Sequence, residues 1–319
     1  MIFLRAVFAA VALIAWSGAP AQYPSRAIKI VVTIPPGGAP DLAARVIGQK
    51  LSEIVGQPVV IENRPGANGN TAAEAVAKSA PDGYTLILAA DSLIAINPHL
   101  YARMPLDTLR DLAPVASLVS NQFVLSVNPA LPVKNFAEFV EYARKSDPPL
   151  NYASGGNGSQ HQITMEMLKA RAGINLVHVP YRGGAPATTA TMSGEVAAMF
   201  AGTSTAPQIK AGRLRALAVA GAKRSAAFPD LPAIAEFYPG FANSIWLGLF
   251  GPAGMPEEVV AKLRGELRRV LALPDVREKL GAGGGLEPYS TTPEEFTALI
   301  RRDFERFGKL IKDTGIKSD

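Results

Sequence analysis

Residues 28–45, I-K-I-V-V-T-I-P-P-G-G-A-P-D-L-A-A-R, contain one strand, one turn and the start of one helix. The β-branched run from Ile28 to Ile34 predicts a strand that is buried on both faces. Pro35-Pro36-Gly37-Gly38 ends that strand, and Pro40 suits the first turn of a helix because its missing N–H would have no partner there. Free N–H groups at a helix start favour an anion, so this turn is a candidate anion site.

Two other interpretations apply to this turn. Glycine-rich turns between strands and helices also occur for backbone reasons alone, so the turn by itself does not decide the function. Its spacing matches neither G-x-G-x-x-G nor G-x-x-x-x-G-K-[ST], which argues against a dinucleotide site and a P-loop.

The first 21 residues have the pattern of a secretory signal peptide. Arg5 provides the positive charge, residues 6–16 form the apolar run, and Ser17 to Ala21 form a small-residue cleavage site. The apolar run is shorter than the roughly 20 residues of a transmembrane helix. We therefore predict cleavage after Ala21 and a soluble mature chain in the periplasm.

The composition argues against several functional classes. The chain has no cysteine, which excludes disulfides and thiolate metal sites. The formal net charge of +5 is mild, and the basic residues are scattered along helices and near the C-terminus without aromatic interleaving, so a solvated face is expected and not a nucleic-acid surface. Three histidines without HExxH spacing indicate no zinc site. We expect neither a metal nor a cofactor.

Strands and helices alternate along most of the chain in units of about 30 residues, which predicts an α/β fold with parallel strands and right-handed crossovers. A second set of units begins near Pro114 with strands at 115–119 and 123–127, whereas residues 91–113 are expected to be looser. The strand, glycine-turn and helix pattern recurs at residues 151–168, with its turn at Ser154 to His161.

The C-terminal third predicts a strand at 245–250 and helices that begin at Pro256 and Pro293. If these helices return to the first lobe, the chain crosses between two lobes twice, near residues 120 and 245. The predicted division of the chain is then a signal peptide at 1–21, lobe 1 at 22–121 and 247–319, and lobe 2 at 122–246. The crossings would then form a hinge beside an interlobe cleft.

Several motifs in order resemble one family, the periplasmic substrate-binding proteins of the tripartite tricarboxylate transporter family, also called Bug-type solute receptors. The resemblance runs from about Tyr23 to the C-terminus. The motifs are Pro36-Gly37-Gly38 with Asp41 and Ala44-Arg45, Glu62 to Ala67 with Gly69, Ala80 to Leu86, Ser154-Gly155 with Gly158-Ser159 and His161, Val179 to Gly184, Gly212 to Ala218, and Gly315-Ile316-Lys317.

The resemblance implies a type II periplasmic-binding fold, with two α/β lobes joined by a double-crossing hinge. It implies a small organic acid as ligand: a mono-, di- or tricarboxylate, an acidic amino acid or an aromatic acid. One carboxylate would be held between the first turn, Pro36 to Asp41, and the second turn, Ser154 to His161, by backbone N–H groups and water. Transporter membrane subunits are the implied protein partners, and the receptor is expected to be a monomer.

The candidate ligand-binding residues lie in these turns and at two neighbouring strand ends. They are Pro36, Gly37, Gly38, Ala39, Asp41, Ser154, Gly155, Gly158, Ser159, His161, Tyr181, Arg182 and Thr203.

Several of these candidates have a structural alternative. Asp41 could stabilise the first turn of its helix through the helix dipole, and Ser159 could cap the following helix. Tyr181 could simply form part of the wall of its lobe. Arg182 could pair with a second carboxylate or lie solvated at the cleft rim. Outside the candidate set, His178 is expected to be a core histidine. The sequence also departs from the family pattern at Pro40, which removes one N–H donor.

Two rival functions remain open from the sequence. An exported α/β enzyme could use His161 as a base, although no G-x-S-x-G elbow is present. A sensory receptor could present the same closed lobes to a kinase ectodomain. We expect a transport receptor and not an enzyme.

Overall fold

The protein is described by a computed structural model that covers residues 23–225 and 227–316. The predicted signal peptide with its cleavage site, and Lys317 of the last motif, lie outside these residues. Within the described ranges, no helix has both the length and the apolar character needed to cross a bilayer.

Ten strands and eleven α-helices make up the described structure. The strands are β1 (Ile28–Val32), β2 (Val59–Asn63), β3 (Thr85–Ala90), β4 (Leu112–Val127), β5 (Leu150–Ser154), β6 (Leu176–Pro180), β7 (Ala198–Gly202), β8 (Arg215–Val219), β9 (Ser244–Pro252) and β10 (Glu287–Pro288). The α-helices are α1 (Ala39–Val55), α2 (Asn70–Ala77), α3 (Asn97–Leu100), α4 (Thr108–Asp111), α5 (Phe136–Lys145), α6 (Gln160–Ala172), α7 (Gly184–Ser193), α8 (Ala206–Lys210), α9 (Glu257–Ala272), α10 (Pro274–Gly284) and α11 (Pro293–Thr314).

The first lobe has the strand order β2-β1-β3-β9-β4, in which β1, β2 and β3 are parallel. Strand β1 is buried on both faces, as predicted. Its residues Ile28, Ile30 and Val32 share a core with α1, α9 and α10, whereas Val31 packs with α2 on the other face. The C-terminal helices therefore return to the first lobe.

The second lobe has the order β4-β7-β5-β6, with β8 also paired to β4. Strands β5, β6 and β7 are parallel. Its core includes Phe123, Phe136, Tyr152 and Phe200, which join β4, α5, β5 and β7.

Strand β4 passes from one lobe to the other without interruption. Residues 112–122 pair with β9 in the first lobe, and residues 123–127 pair with β7 and β8 in the second. The prediction of two strands, at 115–119 and 123–127, was therefore wrong. The chain returns through β9, which completes the double crossing between the lobes.

The carboxyl ends of both parallel sheets face the same interlobe space. Ala90 at the end of β3 pairs with Leu247, which pairs with Val119. Gly202 at the end of β7 pairs with Phe123, only four positions further along β4. Ligands of open α/β sheets bind beyond the carboxyl ends of the strands, so this space is the expected cleft.

The segment between β3 and β4 is more regular than predicted. A π-helix at Ser92–Ile96 is followed by the short helices α3 and α4. Leu93, Ile94, Ala95 and Ile96 are all buried, so this segment forms part of the core and not a loose connection.

Candidate functional site

The first turn, Pro36 to Asp41, is shaped by the side chain of Asp41. Asp41 is only 4% exposed, and its Oδ2 accepts a hydrogen bond from the Gly37 N–H at 2.9 Å. Its Oδ1 accepts from Asn63 Nδ2 at 2.8 Å, and Arg45 forms an ion pair with it at 2.9 Å. The Asp41 carboxylate is thus occupied within the lobe, in a structural role.

The electrostatics keep Asp41 ionised. Burial by itself would raise the pKa of this carboxyl, but hydrogen bonds from Arg45, the Gly37 N–H and Asn63 lower the pKa below its usual value. A carboxylate in the first turn of α1 also interacts favourably with the helix dipole.

The first turn leaves three backbone donors unused. Among the described residues, the N–H groups of Gly38, Ala39 and Asp41 have no hydrogen-bond partner. Pro40 has no N–H, and the Gly37 N–H is taken by Asp41. Helix α1 is 17 residues long, so these donors lie at the positive end of a full helix dipole. Pro36, by contrast, is exposed and has no N–H to donate.

The second turn, residues 154–161, is shaped by a network of neutral side chains. The fully buried Ser154 hydroxyl lies 2.6 Å from His178 Nε2 and accepts the Gly156 N–H at 3.0 Å. The Gly158 N–H donates to Gln162 Oε1 at 2.7 Å, and Gln162 Nε2 lies 3.2 Å from His178 Nδ1. Ser154 and Gly158 therefore hold the turn from inside the lobe.

The donors in this network determine the His178 tautomer. Because Gln162 Oε1 accepts from Gly158, Gln162 Nε2 donates to His178 Nδ1. The ring proton then lies on Nε2 and is donated to Ser154 Oγ. Burial lowers the pKa of His178, with the charge of Glu166 acting in the opposite direction. His178 is thus a neutral histidine with both ring nitrogens hydrogen-bonded, as predicted, but it is half-buried and does not lie within the core.

The second turn also retains unused donors. Within residues 154–161, the N–H groups of Gly155, Gln160 and His161 have no partner in the described chain. Ser159 is the N-cap residue of α6 and its hydroxyl accepts from the Gln162 N–H at 3.5 Å. Both turns therefore present a helix start with free donors.

The His161 ring packs against Gly155 and Gly184 of lobe 2. A Cβ on Gly155 would lie 3.1 Å from His161 Nδ1, and one on Gly184 would lie 3.1 Å from Nε2. The ring also lies 4.8 Å from that of Phe123, centroid to centroid. Burial lowers the pKa of His161 to about 4, so this imidazole is neutral at physiological pH.

The remaining candidates have different surroundings. The Tyr181 hydroxyl donates to Glu195 at 2.6 Å, and this bond raises the pKa of Tyr181 to about 12. The buried Thr203 hydroxyl contacts Asn121 Oδ1 and Gly285 O, each at 2.6 Å, and so lies at the junction of the lobes. Arg182 is exposed and forms no ion pair with any described residue.

Sequence reasoning did not identify Asn63 and Gln162, which complete the two turns. Asn63 lies beside the first turn because β2 pairs with β1. Gln162 had a detectable signal, since Ser159 and Gln162 form the S-x-x-Q pattern of a capping box. In the structure, however, the Gln162 carboxamide accepts from Gly158.

Two concave surfaces lie elsewhere, at the opposite end of lobe 2 from the cleft. The larger, about 650 Å³, has Ile209, Phe228 and Leu231 in its wall. The described residues contain no group of three or more histidine and acidic side chains that could hold a metal ion.

Comparison with known proteins identifies the family. Residues 43–316 match the model of the tripartite tricarboxylate transporter family receptor. The chain belongs to this receptor family. Membership implies a periplasmic solute-binding receptor, and the two-lobed structure with a double crossing is the type II periplasmic-binding fold.

Curated relatives of this receptor cover nearly its whole length. It is 37% identical to a UPF0065 protein from the tcbD-tcbE intergenic region of Pseudomonas sp. strain P51, over 91% of this chain and 86% of that protein. It is 33% identical to protein BugT of Bordetella pertussis, over 98% of this chain and 96% of that protein.

Solved structures of similar sequence share the fold of this receptor. R. palustris Rpa4515 with adipate has a TM-score of 0.85 at 34% identity, covering 93% of this chain and 99% of that one. The periplasmic binding protein BugD has a TM-score of 0.82 at 31% identity, covering 93% and 100%. MatC from Rhodopseudomonas palustris with bound malate has a TM-score of 0.80 at 31% identity, covering 91% and 100%.

Proposed function

We propose that this receptor binds a small organic carboxylate in the interlobe cleft and delivers it to a tripartite tricarboxylate-type membrane transporter. The observation that carries the proposal is the pair of helix starts with unused N–H donors, at α1 in one lobe and α6 in the other. Both follow strands whose carboxyl ends face the cleft. Such donors and the helix dipoles favour a negative charge.

The donors specify how the carboxylate is held. Gly38, Ala39 and Asp41 supply N–H groups from lobe 1, and Gly155, Gln160 and His161 supply them from lobe 2. A water molecule takes the place of the donor that Pro40 lacks. Because the ligand contacts both lobes, its binding stabilises the closed state relative to the open one.

Arg182 is the proposed partner of a second carboxylate. It lies in the turn after β6, beside the second turn, because the Tyr181 N–H donates to Ser154 O at 3.0 Å. An exposed guanidinium without an ion pair can bind a carboxylate by donating two parallel hydrogen bonds to it. The proteins Rpa4515 and MatC, whose structures contain adipate and malate, bind acids with two carboxylates.

The rival enzymatic function requires His161 to act as a base. An imidazole with a pKa near 4, packed between Gly155, Gly184 and Phe123, is a weak base at neutral pH. We therefore infer a receptor without catalytic activity. We also infer that the receptor is a monomer and that it is exported, with cleavage after Ala21. The alternative function, a sensory receptor for a kinase ectodomain, would use the same closed lobes.

The direct experiment is to identify the ligand. Receptor purified from the periplasm is denatured, and the released small molecule is identified by mass spectrometry. If none is retained, a thermal-shift series with adipate, malate, citrate, glutamate and benzoate replaces it. An acid at about 100 times its Kd stabilises the folded state by about 2.7 kcal/mol. No stabilisation by any organic acid would contradict the proposal.

The binding mode has its own test, Gly155→Val. The new side chain meets His161 and the carbonyl carbon of Gly183 and crowds the donors of the second turn. We expect at least about a 100-fold loss of affinity by calorimetry, the size of a few charge-assisted hydrogen bonds. Gly265→Val is the matched control, because no atom lies within 4 Å of a Cβ there. Equal affinity in both variants would contradict the backbone-donor mode.

A further inference from the structure

A buried polar contact joins the two lobes. Asp91 follows β3 in the first lobe and is fully buried. Its Oδ2 accepts a hydrogen bond of 2.5 Å from Nε2 of Gln160, the first residue of α6 in the second lobe. Gln160 itself is 5% exposed.

This contact is one end of a chain of hydrogen bonds, which we name the interlobe relay: Arg306, Asn243, Gln160 and Asp91. Arg306 on α11 donates to Asn243 Oδ1 at 3.2 Å. Asn243, just before β9, donates from Nδ2 to Gln160 Oε1 at 3.0 Å. The relay therefore runs from lobe 1, through the second crossing, into lobe 2 and back to lobe 1.

The orientation of every group in the relay is determined by its neighbours. A guanidinium has only donors, so Asn243 must present its oxygen to Arg306 and its amide nitrogen to Gln160. Gln160 must then present its nitrogen to Asp91. Asp91 accepts at its other oxygen from the Ser92 N–H at 2.8 Å. No amide can rotate without placing like groups face to face.

Most of the relay is buried and lies beside apolar side chains. Ile163 on α6 packs with Ala95, Leu100 and Phe307 of the first lobe. The charged groups that face Asp91 are Asp303 and Arg306, both on α11, and they lie 3.5 Å apart as an ion pair. Asp303 also accepts from Trp246 Nε1 at 2.9 Å. A hydrogen bond broken here leaves buried polar groups without water.

We propose that the interlobe relay sets the angle between the lobes, so that Asp91 and Gln160 are positioning residues for lobe closure. When the lobes separate, Gln160 withdraws from Asp91, and both buried groups lose a partner. The relay therefore favours the arrangement of the lobes in this structure even without ligand. Its effect on ligand affinity rests on the proposed function, whereas its effect on the lobe angle does not.

The experiment measures the interlobe distance in the unliganded receptor. The chain has no cysteine, so Lys78→Cys and Lys145→Cys introduce the only two thiols, one on each lobe. Both side chains are more than 70% exposed, and neither residue belongs to the relay. Spin labels on these thiols report the distance distribution by double electron–electron resonance.

Gln160→Met removes the hydrogen bonds and keeps the side-chain length. We expect a second, longer-distance population that the parent receptor lacks. Thr108→Val is the matched control, since it removes a buried hydrogen bond of 2.8 Å to Ile94 O within lobe 1. It should lower the melting temperature without changing the distance distribution. An unchanged distribution in a folded Gln160→Met variant would overturn the proposal.

Gln160→Glu provides a second variant if Gln160→Met does not fold. At about pH 5 the two carboxyl groups can share a proton and keep the lobes closed, whereas at about pH 9 both ionise and repel. We expect a reversible increase in distance with pH in this variant that is larger than any in the parent or in Thr108→Val, in which Asp91 titrates beside a neutral amide. A distance that stays constant with pH would overturn the proposal, while the acid-binding series still tests the proposed function separately.

Discussion

The two turns that face the cleft expose the same kind of backbone donor but are held in shape by different chemistry. In the first turn the ionised Asp41 accepts from Gly37, Asn63 and Arg45. In the second turn a neutral network of Ser154, Gln162 and His178 takes the place of the charge. The difference teaches that the same kind of turn with free N–H donors can be held in shape by a carboxylate or by an imidazole, with different sensitivity to pH.

The largest expected effect comes from removing the imidazole of the second turn. His178→Leu leaves the buried Ser154 hydroxyl and the Gln162 amide without their partner. We expect a loss of about 3 kcal/mol in the free energy of unfolding, measured in urea. Val177→Ala is the control, because that side chain is 51% exposed and should change stability by less than about 0.5 kcal/mol. A His178→Leu receptor as stable as the control would show that the neutral network does not hold the turn.

The corresponding change in the first turn is Asp41→Asn. The new amide nitrogen faces either the Gly37 N–H or Asn63 Nδ2, so one hydrogen bond becomes a contact between two donors. We expect a loss of about 2 kcal/mol, which is smaller than at His178 because Arg45 is half exposed and can be solvated. Glu53→Gln, at an exposed pair with Lys50, is the control. Equal stability of Asp41→Asn and this control would contradict the structural role of the carboxylate.

The pH dependence should separate the two turns more clearly. The folded pKa of His178 is lowered, so acidification below about 6.5 protonates the unfolded chain first and removes stability. The cost of His178→Leu should therefore shrink by up to about 1.4 kcal/mol per pH unit below that pH. The folded pKa of Asp41 is also lowered, but its stabilisation is lost only as pH falls below about 4.

Urea titrations of parent and variants between about pH 8 and pH 4 would test this order. Subtracting the parent from each variant cancels the contribution of other groups, including Asp91, whose pKa burial raises to about 8. The prediction would be contradicted if, as the pH falls, the cost of Asp41→Asn began to decline at a higher pH than the cost of His178→Leu.

A smaller effect is expected at Arg182, beside the second turn. Arg182→Ala should weaken the binding of a dicarboxylate about tenfold, the contribution of one partly solvated ion pair, and leave a monocarboxylate of the same length unchanged. Calorimetry with adipate and hexanoate provides the comparison. Equal losses for both acids would place Arg182 outside the ligand contacts.

The smallest effect is expected where the first lobe contains backbone strain. Ala67, in the turn after β2, has a φ of +45°, a value that glycine adopts without steric cost. Ala67→Gly should raise the free energy of unfolding by less than about 1 kcal/mol, because relief of strain is partly offset by the entropy of the unfolded chain. Gly265→Ala, within helix α9, is the comparison, because there alanine replaces glycine instead of glycine replacing alanine. A destabilised Ala67→Gly receptor would argue against strain at this turn.

The sequence pattern predicts the strand–turn–helix units and the double crossing because apolar periodicity and glycine turns are local signals. It does not predict that β4 is continuous, since Ser120, Asn121 and Gln122 interrupt the apolar pattern. These polar residues lie where the strand leaves one lobe, and Asn121 accepts there from Thr203. The local pattern thus indicates a break at a point where tertiary contacts continue the strand.

The candidate site shows a similar limit. Backbone donors at the helix starts follow from Gly38, Pro40 and Ser159 in the sequence. Which donors are already used does not, because the side chains that accept from them, Asp41, Ser154 and Gln162, are oriented by residues far along the chain. Ser154 and His178 are 24 residues apart, and Asp41 and Asn63 are 22 apart. The structure therefore narrows the free donors in the first turn to three.

The shared strand β4 has a consequence for folding. Val115 and Val119 belong to the core of one lobe, and Phe123 and Leu125 of the same strand belong to the core of the other. Neither lobe can lose its core without removing a strand from its neighbour. The receptor should therefore unfold in a single cooperative transition, and a fragment that contains only one lobe without β4 should not fold.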